Sequence, residues 1–283
     1  MATPRLAIDL SSGTLRVLEG FPGGPMRSGE AAAPAGSLED GRVRDPIALG
    51  QALRSLIART EVTATRALVA VSDSLASFRV LTFPKGVTPG EIDAAVVRQL
   101  NLGSDRMSHQ HLEVLPGRDE RTVFATVWDR GHIQAIASAI RQAGVEPAVV
   151  DLKSLCVARA LIQDSCIFLD MSVDPCEAVL IDERVPRIAH AFKVESGGDL
   201  ALAVANGLRP VLGFQRRSGA TGFGPTSPIV VRSDHPLPSI LTARIEQLTG
   251  HQVNPLAEPQ RIDPDIRYGP FLTCLGLVVR RSA

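Results

Sequence analysis

The sequence predicts an α/β protein of two lobes, and three observations carry that prediction. The stretch LAIDLSSGTLRVLEG, Leu6 to Gly20, runs apolar strand, aspartate, small polar turn, alternating strand. The pattern returns in CIFLDMSVDPCEAVLIDERVPR, Cys166 to Arg187, where Asp170 is followed by Met171 and Ser172 as Asp9 is followed by Leu10 and Ser11. After each copy, short β-branched runs alternate with helix-like segments, so each copy opens one half of a duplicated unit. At 283 residues there is chain enough for two lobes of the usual ~100 to 200 residues.

Along the chain, Leu6–Leu10 and Leu15–Glu19 read as a hairpin across the turn, and Phe21 to Gly41, rich in Gly, Pro and Ala, as a loop or irregular edge. Asp45-Pro46 starts a helix, because Asp caps free N–H groups, Pro suits the first turn, and Leu49, Leu53, Leu56 and Ile57 share a face. Ala67–Val71 is a short buried strand, and Arg79–Pro84 an extended segment. Thr88 and Glu91 form a capping box for a helix through Leu100. His111–Leu115 and Thr122–Trp128 make a strand pair, Asp129 caps the next helix, and Gly144 stops it. Val145–Val150 is a strand and Asp151–Leu161 a helix; in the second half Asp199–Arg217 is helical with an interruption at Pro210. Ile229–Val231 is a strand, Pro236–Thr249 a helix, and Phe271–Val279, apolar all round, a buried terminal helix.

Composition excludes several classes. Apolar residues make up 45% and charged ones 21%, ordinary globular usage. Lys+Arg and Asp+Glu both number 30, so no global attraction to nucleic acid or anionic lipid is expected. Cys156, Cys166, Cys176 and Cys274 lack CxxC spacing and no secretory apolar segment precedes them, so they read as reduced, packed thiols of a cytoplasmic protein. The apolar run FLTCLGLVV is about half of the roughly 20 residues a membrane-spanning helix needs. Direct membrane insertion is not expected.

Three further segments, DGRVRDPIALGQALRSLI, SFRVLTFPKGVTPGEIDAAV and IRQAGVEPAVVDLKSLCVARAL, together with the order of the elements, resemble the PilM family of type IV pilus assembly proteins. That family is a branch of the actin-like ATPase superfamily and related to the cell-division protein FtsA; the resemblance spans nearly the whole chain. It implies an actin-like ATPase (ribonuclease H-like, duplicated) fold, two lobes with mixed sheets flanked by helices. Residues 1–165 would form the first lobe, with an extra subdomain inserted at about 77–128 and a C-terminal helix, 268–283, completing it; residues 166–267 would form the second lobe. In the family the hairpins wrap the phosphates of ATP and their aspartates organise Mg²⁺, which would place Asp9, Ser11, Ser12, Gly13, Thr14, Arg16, Asp170, Ser172 and Ser233 at a nucleotide site, with Asp9 and Asp170 toward the metal.

The sequence departs from that pattern at each phosphate contact. Serine stands where the family has glycine, at Ser11 and Ser172, and the cradle of the second hairpin reads Asp174-Pro175-Cys176. A carboxylate there repels phosphate and Pro175 removes an N–H donor. The third turn, a glycine pair in the family, is Arg232-Ser233-Asp234-His235-Pro236. About thirty residues separate Gly197-Gly198 from the strand at Ile229, too few for the helical insertion usual in the family, so the second lobe is expected to be reduced. The expectation is a vestigial nucleotide site, with ATP and Mg²⁺ weakly bound or absent, in a pseudo-ATPase scaffold.

For Asp9 and Asp170 two readings stay open: organisation of Mg²⁺, or turn carboxylates that accept local backbone N–H groups. His109-Gln110-His111 puts two imidazoles on one strand face without an evident third ligand, so a solvated edge is expected rather than a metal site. The serines lack a GxSxG elbow or base partner for nucleophilic catalysis. The family binds a short N-terminal peptide of the inner-membrane protein PilN in a groove beside its extra subdomain, which would make Arg79, Val80, Leu81 and Phe83 partner-binding residues, with other pilus-machine components as further partners; ordinary packing between subdomains is the other reading of these residues. An active ATPase or kinase of the same fold is the alternative; an FtsA-like membrane tether is disfavoured, because only Arg280–Ala283 follow the terminal helix.

Overall fold

The computed structural model describes residues 4–100, 105–116, 119–195, 197–218, 222–259 and 263–280. The chain divides into two compact units, one made of Met1–Cys156, Arg261–Arg267 and Phe271–Ala283, the other of Val157–Gln260 and Tyr268–Pro270.

The first unit opens with β1 (Arg5–Asp9), β2 (Thr14–Gly20) and β3 (Arg27–Ala32), then the small pair β4 (Leu38–Glu39) and β5 (Arg42–Val43), α1 (Pro46–Arg59) and β6 (Arg66–Val71). There follow β7 (Ala76–Pro84), α2 (Pro89–Gln99), β8 (Met107–Pro116) and β9 (Glu120–Asp129), whose strands form a separate three-stranded sheet, and then α3 (Arg130–Gln142), β10 (Glu146–Leu152) and α4 (Lys153–Ala160). The main sheet has the order β10-β6-β1-β2-β3, with β1 antiparallel to β2 and parallel to β6. Leu6, Ala7, Ile8 and Asp9 are buried in it, as a central strand covered on both faces requires. The bulge in β10 falls between Pro147 and Val149, where proline has no N–H for the ladder.

Local signals set the helices of this unit. Asp45 accepts from Ile47 N and Ala48 N, both at 3.0 Å, and seats α1 with Leu49, Leu53 and Leu56 inward. Thr88 and Glu91 close the capping box of α2. That helix covers one face of the β7-β9-β8 sheet, burying Ile92 and Val96 against Val123 and Ala125. The Phe21–Gly41 stretch differs from its expectation in holding a strand, β3, paired to β2 over six residues at the sheet edge; its Gly and Ala content hides the pairing.

The second unit repeats the plan with β11 (Cys166–Asp170), β12 (Cys176–Asp182), β13 (Val185–Phe192), α5 (Leu200–Ser218), β14 (Ile229–Arg232), α6 (Ser239–Thr249) and β15 (Val253–Pro255). Its sheet runs β13-β12-β11-β14-β15, with β11 antiparallel to β12 and parallel to β14. Read outward from β1 and β11, the strand order and directions are the same in both sheets, which is the duplication announced by the paired hairpins. Pro210 does not interrupt α5, which is continuous from Leu200 to Ser218. Burial of Val204, Leu208, Val211 and Leu212 around it offsets the roughly 3 kcal/mol an interior proline costs.

The chain ends with α7 (Tyr268–Val278), buried along most of its length. Its end is held by Arg5, which donates to Val278 O at 3.0 Å and to Arg280 O. All four cysteines are buried and outside any disulfide, and burial lifts the Cys166 thiol to about 12. Among the described residues no helix is long and apolar enough to cross a membrane.

Candidate functional site: two aspartate hairpins

In the first hairpin Asp9 ends β1 with almost no exposure. Its Oδ1 accepts from Ser11 N at 2.9 Å and from Ser11 Oγ at 2.6 Å, the closed Asx-type turn expected when an aspartate is followed two residues later by a donor. Ser12 Oγ receives Thr14 N at 3.3 Å and Arg16 Nη1 at 3.5 Å, while Gly13 is exposed at the tip. Arg16 lies opposite Asp9 in the β1–β2 register, yet its guanidinium turns to Glu30 on β3, Nε to Oε2 at 3.3 Å. Glu30 is also met by Arg267. Partial burial opposes ionisation of Glu30, but hydrogen bonding from Arg267 and the charges of Arg267 and Arg16 outweigh it and hold the carboxyl below its usual range.

The second hairpin repeats the turn. Asp170 is fully buried, and its Oδ1 accepts from Ser172 N at 3.1 Å and Ser172 Oγ at 2.7 Å. Its Oδ2 lies 3.5 Å from Nη1 of Arg232, which is also buried. The surroundings are acidic: Glu177 occupies the register place that Arg16 holds in the first hairpin. Burial, reinforced by the charges of Asp170 and Asp174, pushes the Cys176 thiol upward. Ser233 donates its hydroxyl to His235 O, and no hydrogen bond is seen between it and Asp170 or Ser172 among the described residues.

Each serine of the two turns therefore occupies its aspartate with two donors, and the site residues named above are brought together within each hairpin: Asp9, Ser11, Ser12, Thr14 and Arg16 in one, Asp170 and Ser172 in the other. The second hairpin does not fit a divalent ion, because a guanidinium already faces Asp170 Oδ2 and a second cation there would meet like charge. Nor does it suit phosphate, with Asp174 and Glu177 beside it and no N–H at Pro175. The first hairpin keeps hydroxyls and an arginine.

On β7, side chains alternate. Leu81 and Phe83 pack under α2 with Ile92, Val96, Val123 and Ala125, Arg79 is exposed on that same face, and Val80 lies on the opposite one, where Phe78 stacks on Phe124 at 5.1 Å. The strand is an edge of its sheet. His109 and His111 share one carboxylate oxygen of Asp93 on α2, Nε2 at 2.8 Å and Nδ1 at 3.7 Å. Among the described residues no group of three or more His, Cys, Asp or Glu side chains is arranged to hold a metal ion. The partners that sequence reasoning missed, Arg232, Glu30 and Asp93, all act across strands or between helix and strand; the register of β11 with β14 is the signal that finds the first.

The paired sheets and hairpins define an actin-like ATPase fold. Within that class the chain is similar to a chain of the PilM–PilN type IV pilus biogenesis complex, with 18% identity, 97% of each chain covered and a TM-score of 0.71. It is also similar to the cytoplasmic domain of EpsL, an inner membrane component of the type II secretion system of Vibrio cholerae, with 15% identity, 99% and 97% coverage and a TM-score of 0.54. The ethanolamine utilization protein EutJ from Carboxydothermus hydrogenoformans follows at 15% identity, 98% and 90% coverage and a TM-score of 0.54. No protein-family model matches the chain and no curated protein matches it.

Proposed function

We propose that the chain is a cytoplasmic actin-fold adaptor of a type IV pilus-like assembly or secretion machine, which binds the N-terminal peptide of a PilN-like inner-membrane partner and acts without hydrolysing ATP. The observation that carries this reading is the near full-length likeness to a chain of the PilM–PilN complex, and the filled second hairpin supports the absence of hydrolysis. In this reading residues 77–128 are the inserted subdomain of a first lobe, 1–165, completed by 268–283, and 166–267 are a reduced second lobe. The edge position of β7 suits an extended peptide, whose backbone adds to a strand while alternate side chains enter pockets. Arg79, exposed on the α2 face, and half-buried Val80, on the opposite face, are the residues best placed to meet it; Leu81 and Phe83 shape the strand from the α2 side. Attachment at the inner membrane then comes through the partner.

The test is titration of a labelled PilN-like N-terminal peptide into the full chain, read by fluorescence anisotropy. Binding that weakens tenfold or more, about 1.4 kcal/mol, in Val80→Glu and Arg79→Glu supports the reading. No binding to this peptide or to any other inner-membrane component of a pilus or secretion machine overturns it. The polar first hairpin favours one alternative, an ATP-binding ATPase or kinase: micromolar Mg-ATP affinity by calorimetry, abolished in both Asp9→Ala and Asp170→Ala, would replace the adaptor reading.

A further inference from the structure

The two parallel strand pairs that flank the hairpins are superimposable in register. Asp9 of β1 lies beside Ala70 of β6, and Asp170 of β11 beside Arg232 of β14. The next backbone bond is the same in both, Leu10 N to Ala70 O at 2.9 Å and Met171 N to Arg232 O at 2.8 Å. One position of the repeat thus carries a methyl group in the first unit and a guanidinium in the second. Arg232 and Asp170 have side-chain exposures of 6% and 0%. A carboxylate so placed is costly to keep charged unless it is paired or hydrogen-bonded.

We propose that Arg232 is a resident cation, which supplies to Asp170 the positive charge that an exchangeable metal ion would otherwise bring and so holds the second hairpin closed without metal or nucleotide. Guanidinium suits this task. It keeps its charge at every physiological pH and is less strongly hydrated than an ammonium, so it is the cation that enters an interior at least cost. The turn completes the lock, since Ser172 engages Oδ1 while Arg232 faces Oδ2. The neighbours in the same hairpin, Asp174 and Glu177, are acidic, and Glu177 stands opposite Asp170 in register. The inference rests on the adaptor reading for its functional meaning, a component whose second lobe is permanently in one ligand-independent state, and it goes further by naming the residue responsible.

The experiment is thermal unfolding of the full chain with and without millimolar MnCl2, with free Mn²⁺ followed by electron paramagnetic resonance. Wild type and Arg232→Lys, which keeps the charge, should show no shift and no loss of free Mn²⁺ signal. Arg232→Met should melt lower and regain about 3 °C or more when Mn²⁺ exceeds its Kd tenfold. Asp170→Asn/Arg232→Met, which removes both charges, should melt above Arg232→Met and ignore Mn²⁺. Equal Mn²⁺ responses in wild type and Arg232→Met, including none in either, would overturn the proposal, as would a double variant that melts no higher than the single one. If Arg232→Met does not fold, a folded double variant supports the pairing and an unfolded one overturns it. Peptide binding by the wild type reports on the adaptor reading alone, so the two can fail separately.

Discussion

The two hairpins share a backbone and differ in how their charges are met. Each ends its first strand in a buried aspartate closed by a serine two residues on, with matching bond lengths of 2.9 and 2.6 Å in one and 3.1 and 2.7 Å in the other. Around that common turn the first unit places Arg16 with Glu30, whereas the second places Glu177 opposite Asp170 and Ala191 opposite Glu177. The turn is built from contacts two residues apart and survives duplication unchanged. The charges depend on neighbouring strands, which diverge independently. Serine at these positions is therefore more than a lost glycine: its hydroxyl closes the turn from within.

The largest expected way to break the comparison acts on what lies behind the first hairpin. There α7 approaches β2, with Cys274 Sγ 3.8 Å from Arg16 O, and Gly276 sits so near α4 that a Cβ would lie 1.9 Å from Cys156 O. A backbone carbonyl inside a helix has nowhere to go. Gly276→Ala should cost about 3 kcal/mol or more and lower the melting temperature by about 6 °C or more. In the second unit a Cβ on Gly207 would meet the Phe192 ring at 2.2 Å, a side chain that can turn aside. Gly207→Ala should therefore cost less, about 1 to 2 kcal/mol. Equal losses by calorimetry would show that the terminal helix gives the first hairpin no special support.

What could be read from the sequence divides along the same line as the hairpins themselves. Features made by residues close in the chain were legible: the aspartate turns, the Asp45 cap, the Thr88–Glu91 box and the all-apolar α7. The shared strand order of the sheets followed from recognising that one hairpin occurs twice. The strand β3 was not legible, since Arg27–Ala32 has no alternation and is ordered by its pairing to β2. Nor was the continuity of α5 through Pro210, which depends on burial. Arg232 was visible only as the residue that replaces a glycine turn; that it faces Asp170 needs the register of strands some sixty residues apart. At the site, the missing glycines stand in the sequence itself, whereas the side chains that take over the space are defined only by strand pairing.

A smaller perturbation sharpens the comparison directly. Ser11→Ala and Ser172→Ala each delete one hydroxyl bond to a buried carboxylate and leave the backbone N–H bond in place. Hydrogen bonds to charged groups contribute about 1.5 to 3 kcal/mol, so each variant should lose about 1.5 kcal/mol by urea unfolding. If the turns are the same device, the two losses agree within about 0.5 kcal/mol, the ordinary scatter for independent sites. A loss confined to Ser172 would mean that the second hairpin, with its denser negative charge, relies on the hydroxyl in a way the first does not.

The smallest effect belongs to the ion pair that only the first hairpin has. Glu30 has its carboxyl held below the ordinary 4.5 because Arg267 and Arg16 together outweigh partial burial. A carboxyl with a lower pKa folded than unfolded binds fewer protons in the native state, so its contribution is fully present above pH 4.5 and is lost as pH falls through the folded value. Its side chain is 35% exposed, and solvent screening limits the contribution to on the order of a few tenths of a kcal/mol. The difference in stability between wild type and Glu30→Gln should therefore be small and constant from neutrality down to pH 4.5 and shrink below it. Arg267→Ala should flatten that acid limb by returning the carboxyl toward its usual range, and about 1 M salt, with a screening length near 3 Å, should flatten it further. A difference that instead grows on acidification would mean that burial, not the two arginines, dominates at Glu30, and the first hairpin would then lack the charge partner that distinguishes it from the second.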